Sequence, residues 1–138
     1  MDLKEIENII GYHFGDSSLL TVAFTHSSFA NEQNIPSNER LEFLGDSVLN
    51  LIVSKHLYDS GTDAEGVMTD KRKTIVSRDP LANAIDKLDV AKFLQLGSNT
   101  KEVSANMKAD LYEAIVAAIY IDGGQDAASK FIFNTLIY

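Results

Sequence analysis

Residues 38–53 read NERLEFLGDSVLNLIV, and this stretch contains no proline. Apolar side chains recur at helical spacing, which predicts a long helix from about Asn38 to Tyr58 with Ser37 as a candidate N-cap. Apolar residues occur on nearly every side of this helix, so we expect it to lie at the centre of a helical domain.

The predicted central helix also carries three acids on one face. Glu39, Glu42 and Asp46 stand at positions i, i+3 and i+7, which are neighbours on a helix surface. Because the helix is expected to be central, Glu42 and Asp46 are not expected to be fully solvated. Gly45 lies among them, and a mid-helix glycine costs ~1 kcal/mol relative to alanine. We therefore expect Gly45 to allow the close approach of another helix.

A second acidic helix is predicted from Lys108 to Ile121. It contains two acids, Asp110 and Glu113, which lie one turn apart. Every residue after Glu113 up to Ile121 is apolar or aromatic, so this helix is expected to be buried. No arginine or lysine lies within a turn of Glu113 on its C-terminal side. A buried carboxylate without such a partner is costly unless it binds a metal ion.

Together the two helices predict a cluster of four carboxylates. Oxygen ligands of this kind suit a hard divalent cation, Mg²⁺ or Mn²⁺. A plainer explanation applies to Glu39 and Asp110, because acids near a helix start are stabilised by the helix dipole. That explanation accounts less well for Glu42, Asp46 and Glu113, which lie further into apolar sequence.

The rest of the sequence is expected to form helices joined by polar loops, with no convincing strand. The 138 residues fit one domain of ordinary size, so we predict a single all-α domain over residues 1–138. The further predicted elements are a helix over 3–10 ended by Gly11, a helix capped by Asp16 or Ser17, loops over 31–37, 59–66 and 98–106, a helix over 67–87 bent near Pro80, and a last helix starting near Gln125.

Composition limits the possible partners and locations. The formal net charge of −8 argues against nucleic acid as a partner, unless metal ions reverse the local charge. The chain has no cysteine, which excludes disulfides and thiolate metal sites and fits a cytoplasmic protein. Its longest strongly apolar run, 114–121, is far shorter than the about 20 residues that cross a bilayer. We therefore expect a soluble cytoplasmic protein with no membrane partner.

Three segments resemble the ribonuclease III family. Residues 38–49 resemble the signature stretch of that family almost letter for letter. Residues 23–28, AFTHSS, resemble the segment that precedes the signature. Residues 108–114 and 119–124 resemble its second acidic helix. The segments occur in the family's order and cover nearly the whole chain.

The resemblance implies the all-α ribonuclease III endonuclease-domain fold and a homodimer with a catalytic valley at its interface. It implies Mg²⁺ as the cofactor, for which Mn²⁺ can substitute. By position, the implied metal-binding acids are Glu42, Asp46, Asp110 and Glu113. Asp46 and Glu113 are also implied to be catalytic, and Glu39 is implied to assist at the site. Phe43 matches an aromatic residue that inserts into a pocket of the partner subunit.

The implied activity is hydrolysis of double-stranded RNA to products with 5′ phosphates and 3′ hydroxyls, for rRNA or mRNA processing. Recognition of such RNA depends mainly on its shape, phosphates and 2′-hydroxyls. The candidate phosphate contacts are Lys71, Arg72, Lys73 and Arg78 on one predicted helix, and Lys108. An ordinary solvated surface is the alternative explanation for all five.

Bacterial members of the family usually carry a double-stranded-RNA-binding domain after the nuclease domain, and this chain contains no such domain. Since it also stops within apolar sequence, we expect it to be a catalytic fragment. Two alternatives stay open: a non-catalytic double-stranded-RNA-binding or scaffold protein, and a subunit that acts only within a larger RNA-processing assembly. The first predicts replacement of the acids, all of which are present. His26 is expected to be a buried hydrogen-bonding residue rather than a metal ligand.

Overall fold

A computed structural model describes residues 1–137. Within that range the chain is helical, and the β-type pairing is an isolated bridge between Thr25 and Gln95. The all-α prediction is therefore confirmed. The helices are α1 (Leu3–Ile10), α2 (Ser18–Ala23), α3 (Ser27–Gln33), α4 (Glu39–Asp59), α5 (Glu65–Val76), α6 (Arg78–Leu88), a 3₁₀ turn (Ala91–Phe93) and α7 (Ala105–Thr135).

The core forms where α4 packs against α7, the most extensive contact between any two helices. α7 buries residues along most of its length, as its apolar sequence predicted. Gly45 of α4 lies against the backbone of Glu113, and a Cβ atom at Gly45 would overlap the carbonyl oxygen of Glu113. The expected close approach at Gly45 is confirmed, and it occurs beside one of the predicted site acids.

A single residue interrupts α7. Gly124 has φ 87° and ψ −176°, a backbone conformation that glycine adopts without a steric penalty. The predicted stop after Ile121 therefore takes the form of a kink, and the predicted last helix continues from it.

Asp122 joins the N-terminal region to α7. Its carboxylate accepts hydrogen bonds from the Tyr12 hydroxyl at 2.6 Å and from the backbone N–H groups of Gly15 and Asp16, both at 2.9 Å. These bonds lower the pKa of Asp122, the bond from Tyr12 most of all. The turn that follows α1 is thus fixed to the end of the acidic part of α7.

Two sequence-based boundaries were wrong. α3 covers residues 27–33, part of which was expected to be a loop; its N-cap is His26, a residue type that gives a weak capping signal. The helix predicted over 67–87 is two helices, because Ser77 has extended backbone with φ −72° and ψ 167°. Pro80 lies in the first turn of α6, where its missing N–H leaves no helical hydrogen bond unmade.

Among residues 1–137, none of the helices combines the length and the apolar character needed to cross a bilayer. Tyr138 lies outside the described residues. The assignment of residues 1–138 to one domain stays a prediction.

Candidate functional site

Three acids from the two central helices come together. Carboxylate oxygens of Glu42 on α4 and of Asp110 and Glu113 on α7 lie within 4.8 Å of one another. All three side chains are half-buried. Asp110 and Glu113 share a face of α7 because they are three residues apart, and Gly45 lets that face approach α4 closely enough for Glu42 to join them.

The electrostatics of the cluster reflect burial and crowding of like charges. Burial raises the pKa of Glu113 to about 8, and its hydrogen bond with Asp46 and the surrounding carboxylates add to the effect. Burial likewise raises the pKa of Glu42 to about 7, with a further contribution from Asp110. Burial also raises the pKa of Asp110. Without a cation, the cluster therefore retains protons near neutral pH.

The two other predicted acids lie beside the group of three. Asp46 is exposed, although the sequence predicted that it would not be fully solvated. It still contacts the cluster through its hydrogen bond with Glu113. Asn50 donates from Nδ2 to the carbonyl oxygen of Asp46 at 2.8 Å. Glu39 is also exposed, and its carboxylate accepts a hydrogen bond from Ser37 at 3.3 Å.

Sequence reasoning assigned no role to Asn38, which is buried at the start of α4. Its Nδ2 donates to the carbonyl oxygen of Ala23 at 3.1 Å, and its backbone N–H donates to that of Thr25 at 2.9 Å. These bonds hold residues 23–26 against the acidic end of α4. The sequence patterns of both segments are distinctive, but they do not predict that the two segments contact each other.

His26 is hydrogen-bonded as predicted, although it is half-buried rather than buried.

Phe43 points away from the core and is 80% exposed. Beside it lies an open groove of about 700 Å³. Ile121, also exposed, forms part of that groove. The other apolar residues that line it are Val22, Pro36, Leu41 and Leu44. An exposed aromatic ring beside an apolar groove is the kind of surface that pairs with another protein surface.

Two of the three predicted basic residues of α5 already have partners on the protein surface. Lys71 forms an ion pair with Asp63, with 2.6 Å between Nζ and Oδ2. Arg72 donates from a guanidinium N–H to the Ser54 hydroxyl at 2.9 Å. Lys73 is exposed on the same helix. Exposed ion pairs contribute little to stability, so such a pair opens readily when a phosphate competes for the lysine.

The other two predicted basic residues lie on other helices. Arg78 begins α6, so the expectation that it shares one helix with Lys71 was wrong; it pairs with Asp79 at 3.0 Å. Lys108 pairs with Asp86 at 2.7 Å and is mostly covered. Arg78 and Lys108 would each have to break an ion pair with an aspartate before contacting a phosphate.

Sequence comparison places this architecture among known proteins. The family pattern described as ribonuclease-III-like matches residues 16–138. Ribonuclease 3 of Oceanobacillus iheyensis is 41% identical over 140 residues, which is 96% of this chain and 61% of that protein. Ribonuclease 3 of Rhizobium meliloti is 40% identical over 96% of this chain and 58% of that protein. The chain thus spans about three fifths of the length of these curated relatives.

Solved structures of ribonuclease III nuclease domains also match this chain. One structure of the nuclease domain of ribonuclease III from Campylobacter jejuni, described for flexibility in a region involved in dimer formation, matches with a TM-score of 0.88 and 30% identity. That match covers 99% of this chain and 100% of the other. A crystal structure of the same domain at 31% identity gives a TM-score of 0.87 and covers 97% and 92% of the two chains. The chain therefore belongs to the ribonuclease III family and has the fold of its nuclease domain.

Proposed function

We propose that this chain is the catalytic domain, residues 1–138, of a divalent-cation-dependent endoribonuclease that cleaves double-stranded RNA. The observation that carries the proposal is the group of three half-buried carboxylates at the α4–α7 crossing. Membership of the ribonuclease III family supports the reaction class. Ribosomal or messenger RNA precursors in the cytoplasm are the natural substrates under this proposal.

The residues of the cluster fit a hard cation. Their donor atoms are all carboxylate oxygens, which Mg²⁺ prefers and which Mn²⁺ also accepts. The raised pKa values of Glu42 and Glu113 mean that ionising these carboxyl groups is costly in the absence of a cation, and a bound divalent cation would offset that cost. Glu42, Asp110 and Glu113 would hold the ion, and Asp46 would complete the set from the solvent side. A divalent cation bound there would supply an activated water molecule and would neutralise charge on the scissile phosphate.

The protein's own contribution is to fix the acids before the substrate arrives. The α4–α7 contact holds Glu42, Asp110 and Glu113 on rigid helices, and in the ion-free protein Asp46 shares a hydrogen bond with Glu113. In the proposed reaction the oxygen of water bonds to phosphorus and the bond from phosphorus to the 3′ oxygen breaks. The 3′ oxygen takes up a proton, so the products carry a 5′ phosphate and a 3′ hydroxyl. Glu39, at the exposed rim, assists without holding the ion.

A homodimer is part of the proposal. Phe43 of one copy would enter the apolar groove of the other, which would cover two surfaces that are exposed in the single chain. Two sites in one dimer provide one cut for each strand of a duplex. Replacing Phe43 with serine is expected to shift the protein toward monomer in sedimentation velocity, while circular dichroism stays unchanged.

Cleavage of a long perfect RNA duplex at low salt tests the activity. We expect shortening of the duplex with Mg²⁺ and none with a chelator. The Glu113→Gln variant should reduce the rate by roughly 100-fold or more, since it removes a charged ligand from the site. Glu5→Gln, the same substitution at an exposed acid of α1, is the matched control and should cleave normally.

The same assay addresses the alternatives. If a folded dimer binds the duplex but leaves it intact at every Mg²⁺ concentration, the non-catalytic double-stranded-RNA-binding or scaffold role replaces this proposal. Activity that appears only after addition of cell extract would favour a subunit of a larger RNA-processing assembly. Loss of folding in Glu113→Gln would mean that Glu113 has a structural role rather than a purely catalytic one.

A further inference from the structure

Asn50 extends the row of polar side chains on the site face of α4. Glu42, Asp46 and Asn50 follow one another at intervals of four residues, so they are neighbours on one face of the helix. Asp46 is exposed, whereas Asn50 is half-buried, and the preceding residue, Leu49, is fully buried. Asn50 thus lies one turn beyond the acids, at the border between the core and solvent.

The side-chain amide of Asn50 reaches back to Asp46. Its Nδ2 donates to the carbonyl oxygen of Asp46 at 2.8 Å and to Oδ1 of the Asp46 carboxylate at 3.4 Å. Both of these oxygens accept hydrogen bonds, so the side of the amide that faces them carries the hydrogens. One hydrogen of the amide anchors the side chain to the backbone, and the other is available to the carboxylate.

Asn50 contributes little to the stability of α4. Asparagine disfavours a helix interior relative to alanine, because its side chain competes for backbone hydrogen bonds. In a regular helix, the carbonyl four residues before Asn50 already accepts from a backbone N–H. The bond from the amide to that carbonyl therefore satisfies no unpaired group. The effect that remains is on the Asp46 carboxylate, which is otherwise exposed to solvent on this helix.

We propose that Asn50 is a positioning residue that restricts the Asp46 carboxylate to the orientation in which it completes the cation site. An amide has no proton to lose, so Asn50 remains a donor when the surrounding carboxylates hold a cation. Groups that orient metal ligands in this way typically affect metal affinity or activity. The inference rests on the proposed function for the cation and for Asp46 as a ligand, and it adds a residue that does not itself bind the ion.

The substitution Asn50→Ala separates positioning from helix stability. Alanine favours a helix interior, so in chelator the variant should melt at the temperature of the unmodified protein or higher. Titration calorimetry with Mn²⁺ and no RNA should show about 10-fold weaker binding. Asn50→Gln, whose amide also donates across one helical turn, should recover part of the affinity. Asn8→Ala, the same substitution at an exposed asparagine of α1, is the matched control and should leave Mn²⁺ affinity unchanged.

A double-mutant cycle tests whether Asn50 acts through Asp46. In the Asp46→Asn background the carboxylate is absent, so Asn50→Ala should cause no further loss of Mn²⁺ affinity. An equal loss in both backgrounds, or unchanged affinity in Asn50→Ala alone, would overturn the inference and leave the metal site standing. A lower melting temperature for Asn50→Ala would also contradict it, because Asn50 would then stabilise the helix. If the unmodified protein fails to bind Mn²⁺, the proposed metal site is wrong and the role of Asn50 falls with it.

Discussion

Helix α7 carries its site acids within the core, whereas helix α5 carries basic side chains at the surface. α7 buries residues along most of its length and holds Asp110 and Glu113 against α4. α5 has no fully buried residue and holds its basic side chains at the surface, where Lys71 pairs with Asp63. The acids are therefore fixed by core packing, whereas the bases are free to exchange partners. Cation binding needs fixed ligands, whereas contact with the phosphates of a long polyanion tolerates mobile ones.

The largest expected effect on the contrast between α7 and α5 comes from a substitution at Gly45. We expect Gly45→Ala to destabilise the fold by about 3 kcal/mol or more, because the new methyl group overlaps the Glu113 backbone. The same substitution at Gly66 of α5, where no atom lies within 4 Å of a new Cβ, should change stability by less than about 1 kcal/mol. Urea unfolding measures both. Equal effects at the two glycines would mean that the α4–α7 contact is looser than described.

The pH dependence of stability tests the environment of Glu113 on the acidic helix α7. In chelator, the folded protein keeps a proton on Glu113 up to about pH 8, whereas the unfolded chain releases it near the ordinary glutamate pKa of 4.5. Stability should therefore fall as pH rises from about 5 to about 8. After allowance for partial solvent exposure, Glu113 contributes roughly 1–2 kcal/mol to that fall. Thermal melts across this range should be flatter for Glu113→Gln; parallel curves would contradict the assignment.

The smallest effects are expected on α5. Lys71→Gln should weaken binding of duplex RNA less than about 10-fold and lower the salt slope by about one. Asp63→Asn removes the competing acid and should strengthen binding slightly. Fluorescence anisotropy on the cleavage-deficient Glu113→Gln background measures both at several salt concentrations. If both substitutions leave affinity and slope unchanged, Lys71 belongs to an ordinary solvated surface.

Local patterns in the sequence were enough to predict the central features. Glu42 and Glu113 could be singled out because acids are unusual within such apolar helices, and Gly45 because glycine disfavours a helix interior. The helical periodicity of α4 and α7 covers enough residues to be recognised without knowledge of their packing.

Features that depend on tertiary contact were missed. α3 is short and is capped by a histidine, and contacts far along the chain hold it in place, since Gly97 and Ser98 donate hydrogen bonds to Ser28 and Glu32. The exposure of Asp46 depends on which side of α4 its neighbours leave uncovered. The ion pair of Lys71 with Asp63 joins a helix to the loop before it, and helical spacing does not predict such a pair.

The bonds to Asp122 have a consequence for synthesis on the ribosome. They join residues that are 106 to 110 positions apart, so they form only after nearly the whole domain has emerged. Until then the turn that follows α1, a helix with an apolar face at Ile6 and Ile10, has no Asp122 carboxylate to secure it. The first part of the domain to be made is therefore among the last to be locked in place, and a nascent chain stalled before Asp122 would expose it to chaperones and proteases.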